Sequence, residues 1–101
     1  MLFRSNSGIN NLDELNASFN LFPNPASKEV IIEFALTKPK KINISVLNLL
    51  GQTTYDVGTK TYPAGLNTIP LIIKNIPAGI YFIRITDSIT DLKKTLIISP
   101  E

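Results

Sequence analysis

Residues 75–86 read Asn75-Ile76-Pro77-Ala78-Gly79-Ile80-Tyr81-Phe82-Ile83-Arg84-Ile85-Thr86, and this stretch decides the fold class. Its first five residues are a turn, because proline pre-sets the backbone for the second position of a type I turn and glycine suits the exit. From Gly79 the side chains alternate. Tyr81, Ile83 and Ile85 project to one face and Ile80, Phe82 and Arg84 to the other, since successive strand residues point to opposite sides. The first set is wholly apolar and the second mostly so. The pattern predicts a central strand with one face in a core and the other partly covered.

Upstream, Pro63-Ala64-Gly65-Leu66-Asn67-Thr68-Ile69-Pro70-Leu71 echoes residues 77–85. In both, a Pro-Ala-Gly turn launches a strand, and Asn67, Ile69 and Leu71 align with Tyr81, Ile83 and Ile85. Two copies are too few for a solenoid. Pro70 cannot donate to a ladder and predicts an edge strand or a strand end.

The rest of the chain supplies more short strands. Phe19-Asn20-Leu21-Phe22 is stopped by Pro23-Asn24-Pro25, which predicts an edge strand. Residues 29–36 alternate, with Val30, Ile32, Phe34 and Leu36 on one face and Ile31, Glu33 and Ala35 on the other; Glu33 is expected to pair with a cross-strand lysine. Residues 37–41 read as a hairpin loop. Residues 42–49 put Ile42, Ile44 and Val46 inward and Asn43, Ser45 and Leu47 outward, ending in a turn at Asn48-Leu49-Leu50-Gly51. Residues 52–57 are a weaker strand, 58–60 a loop, 87–91 a polar loop and 92–99 the last strand. About seven short strands with no helix predict an all-β fold, an immunoglobulin-like antiparallel β-sandwich without a disulfide. Residues 1–18 are polar and irregular and read as a linker or arm, in which Leu12-Asp13-Glu14-Leu15 makes at most one helical turn. The sandwich is expected over 19–101.

Composition narrows the function. The chain has 101 residues, 44% of them hydrophobic, with a formal net charge of +2, which suits one globular domain with its own core. It contains neither cysteine nor histidine. That removes thiolate catalysis, the usual general base, the Ser-His-Asp arrangement and most zinc sites. An enzyme is not expected, nor a cofactor. Asp87 and Asp91 flank one loop but supply too few oxygens for Ca²⁺. Lys38-Pro39-Lys40-Lys41 reads as a solvated hairpin tip, with no interleaved aromatic to stack a nucleic-acid base. Tyr55, Tyr62 and Phe82 are the candidates for a small sugar-stacking platform in a chain without tryptophan; partial core cover is the plainer reading. Asp87-Ser88-Ile89 resembles a short O-glycosylation acceptor triplet of Bacteroidota. The longest apolar run is four residues, Ile80–Ile83, against about twenty for a spanning helix.

The ordered blocks carry a resemblance. Leu21-Phe22-Pro23-Asn24-Pro25-Ala26 followed by Val30-Ile31-Ile32 resembles the "LYPNP" opening of the C-terminal sorting domains of the type IX secretion system, with Phe22 where the family often has tyrosine. Residues 42–48 with Gly51 resemble its second block. Gly65-Leu66-Asn67-Thr68-Ile69-Pro70-Leu71 resembles "G-x-N-x-I-x-L", and Gly79-Ile80-Tyr81-Phe82-Ile83-Arg84-Ile85 resembles "G-x-Y-x-(V/I)-x-(V/I)". Lys93-Lys94-Thr95-Leu96-Ile97-Ile98 resembles the terminal lysine-bearing strand. Leu21, Pro23, Asn24, Pro25, Gly51, Gly65, Asn67, Gly79, Tyr81, Lys93 and Lys94 are therefore the motif residues, with Lys93 and Lys94 as the candidates for direct recognition and the last strand as a docking edge.

The resemblance implies a non-catalytic address label of secreted or surface Bacteroidota proteins. An outer-membrane translocon recognises it after periplasmic transit, and a surface sortase cleaves ahead of it, here within residues 1–18. It implies an N-terminal cargo that this chain lacks, and the start of the chain has no signal-peptide h-region, so a fragment of a longer precursor is expected. Nucleic acid and small-molecule substrates are not expected partners, and a monomer is. The alternative is a stand-alone adhesin-like or carbohydrate-binding sandwich.

Overall fold

The computed structural model describes residues 18–100. Residues 1–17, with the expected cleavage region and the turn at residues 12–15, and Glu101 lie outside the described residues. The strands are β1 (Asn20–Phe22), β2 (Glu29–Leu36), β3 (Lys40–Leu47), β4 (Thr53–Tyr62), β5 (Gly65–Ile72), β6 (Gly79–Thr86) and β7 (Asp91–Ile98). They form two antiparallel sheets, β1-β2-β5 and β4-β3-β6-β7. The all-β, seven-strand sandwich expected from the alternation is what the chain adopts.

The core lies between the sheets, and the sequence period puts it there. Val30, Ile32, Phe34 and Leu36 of β2 and Leu71 of β5 face Ile42, Ile44 and Val46 of β3, Tyr81, Ile83 and Ile85 of β6, and Leu96 and Ile98 of β7. Most are β-branched, which suits a pleated surface packed on one side. Each fully buried side chain of this size contributes about 1.5–3 kcal/mol relative to exposure. β6 lies between β3 and β7, the central position its two apolar faces predicted. β1 and β5 are the edges of the smaller sheet, as their prolines required.

The Pro-Ala-Gly echo has a common structural cause. Gly65 and Gly79 enter their strands at φ +102° and +154°, backbone that glycine adopts without a Cβ penalty. In each copy the fifth residue bonds back to the proline carbonyl. The Tyr81 hydroxyl donates to Pro77 O at 2.7 Å, and Asn67 Nδ2 donates to Pro63 O at 3.0 Å and Gly65 O at 3.3 Å. The first is the tyrosine corner of immunoglobulin-like sandwiches; the second is its amide counterpart. Both turns carry the chain from one sheet to the other, β4 to β5 and β5 to β6. Asn67 is inward and buried at 8% exposure because these bonds satisfy its amide.

Four local expectations change. Residues 37–39 do not close a hairpin: β2 and β3 belong to different sheets, so the segment is a crossover. Alternation and loop length are the same for both cases, and only the packing separates them. Residues 58–60 are not a loop but the middle of β4, which runs ten residues and slips register against β3 between Ile44 and Ser45 and again between Val46 and Leu47. Such bulges break the period without ending the strand. Leu47 points away from the inter-sheet core yet is 2% exposed, beside Phe82 in register. Glu33 lies between Asn20 and Thr68, not opposite a lysine.

The two faces of β6 give a direct test. Ile83→Ala is expected to cost about 2–5 kcal/mol, whereas Ile80→Ala, at a half-exposed position on the other face, is expected to cost within about 0.5 kcal/mol. Denaturant midpoints with an unchanged slope for both variants would measure this.

Candidate recognition surface

The Leu21-to-Ala26 block and the lysine-bearing strand, far apart in sequence, meet at the outer edge of β7. Leu21 is a core residue of β1. After Phe22 the chain leaves the small sheet through Pro23, Asn24 and Pro25, with cis peptide bonds before both prolines. The prolines have no N–H, so this segment cannot extend a ladder through its backbone. The Asn24 side chain does so instead. Its Nδ2 donates to Thr95 O at 2.9 Å, and its Oδ1 accepts from Ile97 N at 2.9 Å. A carboxamide offers a donor and an acceptor side by side, so it substitutes for a neighbouring strand. Ala26 continues the pairing: its N–H donates to Ile97 O at 2.9 Å and its carbonyl accepts from Ser99 N at 2.7 Å, forming a parallel bridge to Ile98.

The Pro-Asn-Pro motif therefore does more than stop a strand. It closes the C-terminal half of an edge that would otherwise expose unpaired backbone groups. The sequence signal was the asparagine held between two prolines, whose partner 71 residues away no spacing rule discloses.

The lysines diverge. Lys93 is exposed on the outer face of the four-stranded sheet, in register with Arg84. Lys94 is on the opposite face, partly buried, with Nζ 5.9 Å from the centre of the Phe19 ring, a cation–π arrangement. Arg84 holds Asp91 in a bidentate pair, Nε–Oδ1 2.9 Å and Nη2–Oδ2 3.0 Å. This guanidinium hydrogen bond holds the Asp91 carboxyl below its usual range. Lys93 forms no ion pair among the described residues.

The flanking turns are built by side-chain acceptors. Asn48 Oδ1 accepts from Leu50 N and Gln52 N, and Gly51 closes that turn at φ +82°. Asp87 Oδ1 accepts from Ile89 N at 2.8 Å and Thr90 N at 2.6 Å, while Oδ2 meets Lys40 Nζ at 3.1 Å. Burial works to raise the Asp87 carboxyl, but the bonds from Ile89, Lys40 and Thr90 outweigh it and hold the carboxyl below its ordinary value. Both aspartates of this loop are thus engaged by the protein. Asp87 and Ser88 line an open groove of about 470 Å³ with Lys40, Lys41, Asn43, Thr59 and Thr86.

The aromatic candidates do not assemble. Tyr62 is 4% exposed, edge-on to Phe34 at 5.3 Å, and burial pushes its phenol up. Tyr55 is half exposed on β4, and Phe82 lies beside Leu47 on the outer face. Tyr62 is core, which is the plainer of the two readings.

Two outcomes are expected here. Asn24→Ala removes two exposed hydrogen bonds, to Thr95 O and Ile97 N–H, each worth about 0.5–1.5 kcal/mol net once water replaces the amide, and amide exchange should show Ile97 losing protection while Ile83 keeps its own. Asp87 is a depressed carboxyl, so its contribution is complete above about pH 4, the ordinary carboxylate value, and is lost as pH falls through the depressed value. Asp87→Asn keeps the acceptor for the two turn amides, so melting temperatures at pH 7 and pH 3 should differ less in this variant than in the parent chain.

No curated protein and no solved structure matches the chain. A family model, that of the secretion system C-terminal sorting domain, matches residues 20–99, a span that runs from the first strand through the whole of β7 and its bond to Ala26. With most of its length matched, the chain belongs to the type IX secretion C-terminal sorting domain family.

Proposed function

We propose that residues 19–101 are a non-catalytic sorting domain read by the type IX outer-membrane translocon, and that residues 1–18 are the segment at which a cell-surface sortase releases it from an N-terminal cargo. The family assignment gives the coarser role, a C-terminal secretion signal that directs export through the outer membrane to the cell surface or beyond, and Bacteroidota as its setting. The single observation that carries the finer reading is the match over residues 20–99. The geometry supports it in one respect: two of the motif blocks, residues 21–26 and 93–98, meet at the edge of β7, which favours an address read as a folded surface over one read as a linear peptide.

The direct test is a fusion carrying an export signal and a fluorescent reporter ahead of residues 1–101. It is expressed in a Bacteroidota strain with an intact type IX system and in a translocon-deficient twin. The expected result is reporter outside the first strain and trapped in the periplasm of the second, and the mass of the released reporter locates the cut. Reporter trapped in both strains with the domain folded would overturn the reading.

A further inference from the structure

Resting on the translocon-recognition reading above, we infer that the N-terminal half of the β7 edge, residues 91–95, is the docking site for an extended, carboxylate-bearing segment of the partner, which adds to the four-stranded sheet as a further strand. The Asn24 and Ala26 bonds fix which backbone groups of β7 point outward. Thr95 O, Ile97 N, Ile97 O and Ser99 N all face that side, so the odd-numbered residues aim away from β6 and the even-numbered ones toward it. The register of β6 with β7 is unbroken from Gly79↔Ile98 to Thr86↔Asp91, so the same parity holds at Lys93 and Asp91. The N–H groups of Lys93 and Thr95 and the carbonyl of Lys93 thus point outward, with no strand hydrogen-bonded to that side of β7 here among the described residues.

Every other sheet edge is blunted. β1 has three residues, β5 carries Pro70, and β4 slips register twice and contains Gly58 at φ +116°. These are the devices by which sheets avoid edge pairing. The second half of β7 is occupied by Asn24 and Ala26. The first half has neither proline nor bulge, and Asp91, Lys93 and Thr95 are exposed.

Charge selects the occupant. Asp91 is bound to Arg84 and also feels the Lys93 charge, so one carboxylate faces two cations, Arg84 and Lys93, and this edge keeps an excess of positive charge with Lys93 as its exposed member. A carboxylate directly opposite it on an added strand is favoured, and a lysine or a second copy of the same edge is disfavoured by like charge. Main-chain bonds would supply affinity and Lys93 the discrimination.

The test uses the full chain, ¹⁵N-labelled, titrated with acetyl-Thr-Val-Glu-Val-Thr-Val-amide and with the same peptide carrying lysine for glutamate. The Glu peptide is expected to shift and protect the amides of Lys93 and Thr95, and the Lys peptide to bind roughly fivefold more weakly or worse. Thr95→Pro removes one outward N–H and leaves the β6 ladder intact, and should weaken the Glu peptide about fivefold. Shifts that map elsewhere, equal binding of the two peptides, or no shifts at all would overturn the inference. The reporter fusion separates it from the broader reading. Translocon-dependent export of the parent fusion with undiminished export of a folded Thr95→Pro, Lys93→Glu fusion sinks the docking edge alone. Failure of the parent fusion sinks the translocon reading, and the titration still decides whether the edge takes an acidic strand.

Discussion

The structure depends on one shared apolar layer between a three-stranded and a four-stranded sheet. Neither sheet is stable alone, because each has one face of Ile, Val, Leu and Phe side chains that only the other can cover. With no cysteine in the chain, this layer must hold the fold without a covalent crosslink. The strict alternation in β2, β3 and β6 follows from that demand, since a one-residue slip would turn every core side chain to water.

Joining two sheets creates two further problems, and a few polar side chains solve them. The chain must cross between layers without stranding backbone groups. Tyr81 and Asn67 do this at the Pro-Ala-Gly turns by bonding back to a proline carbonyl four residues upstream. The open sandwich must also protect its edges, and Asn24 does so by presenting a carboxamide where a strand would otherwise pair. The motif residues are thus largely structural in action. Leu21, Gly51, Gly65, Asn67, Gly79 and Tyr81 shape the scaffold, while Pro23, Asn24 and Pro25 determine how much of β7 is left open.

This division bears on how a sorting domain is read. The surface that joins residues 24–26 to 91–99 exists only once the sandwich has formed, so a partner that read it would require the folded domain. Lys93 and Lys94 are adjacent in sequence but project to opposite faces, one into solvent and one over the Phe19 ring. They therefore present different chemistry to any partner.

The sequence by itself determined the strands and their inward faces. Val30, Ile32 and Phe34, or Ile83 and Ile85, declare themselves through a period of two that local sterics impose. The turns were legible for the same local reason, since Pro-Ala-Gly and Asn48-to-Gly51 restrict their own backbone. The ordered motif blocks also made the family legible. What the tertiary structure alone decided was non-local. It showed that residues 37–39 cross between sheets, that β4 continues through Gly58 on bulges, and that Leu47 is covered on the outer face. It also showed that Asn24 reaches Thr95 and Ile97. A hydrogen bond between residues 71 positions apart leaves no periodic trace in either segment, because it is the packing of the sheets that brings an amide and a strand edge within 3 Å of each other.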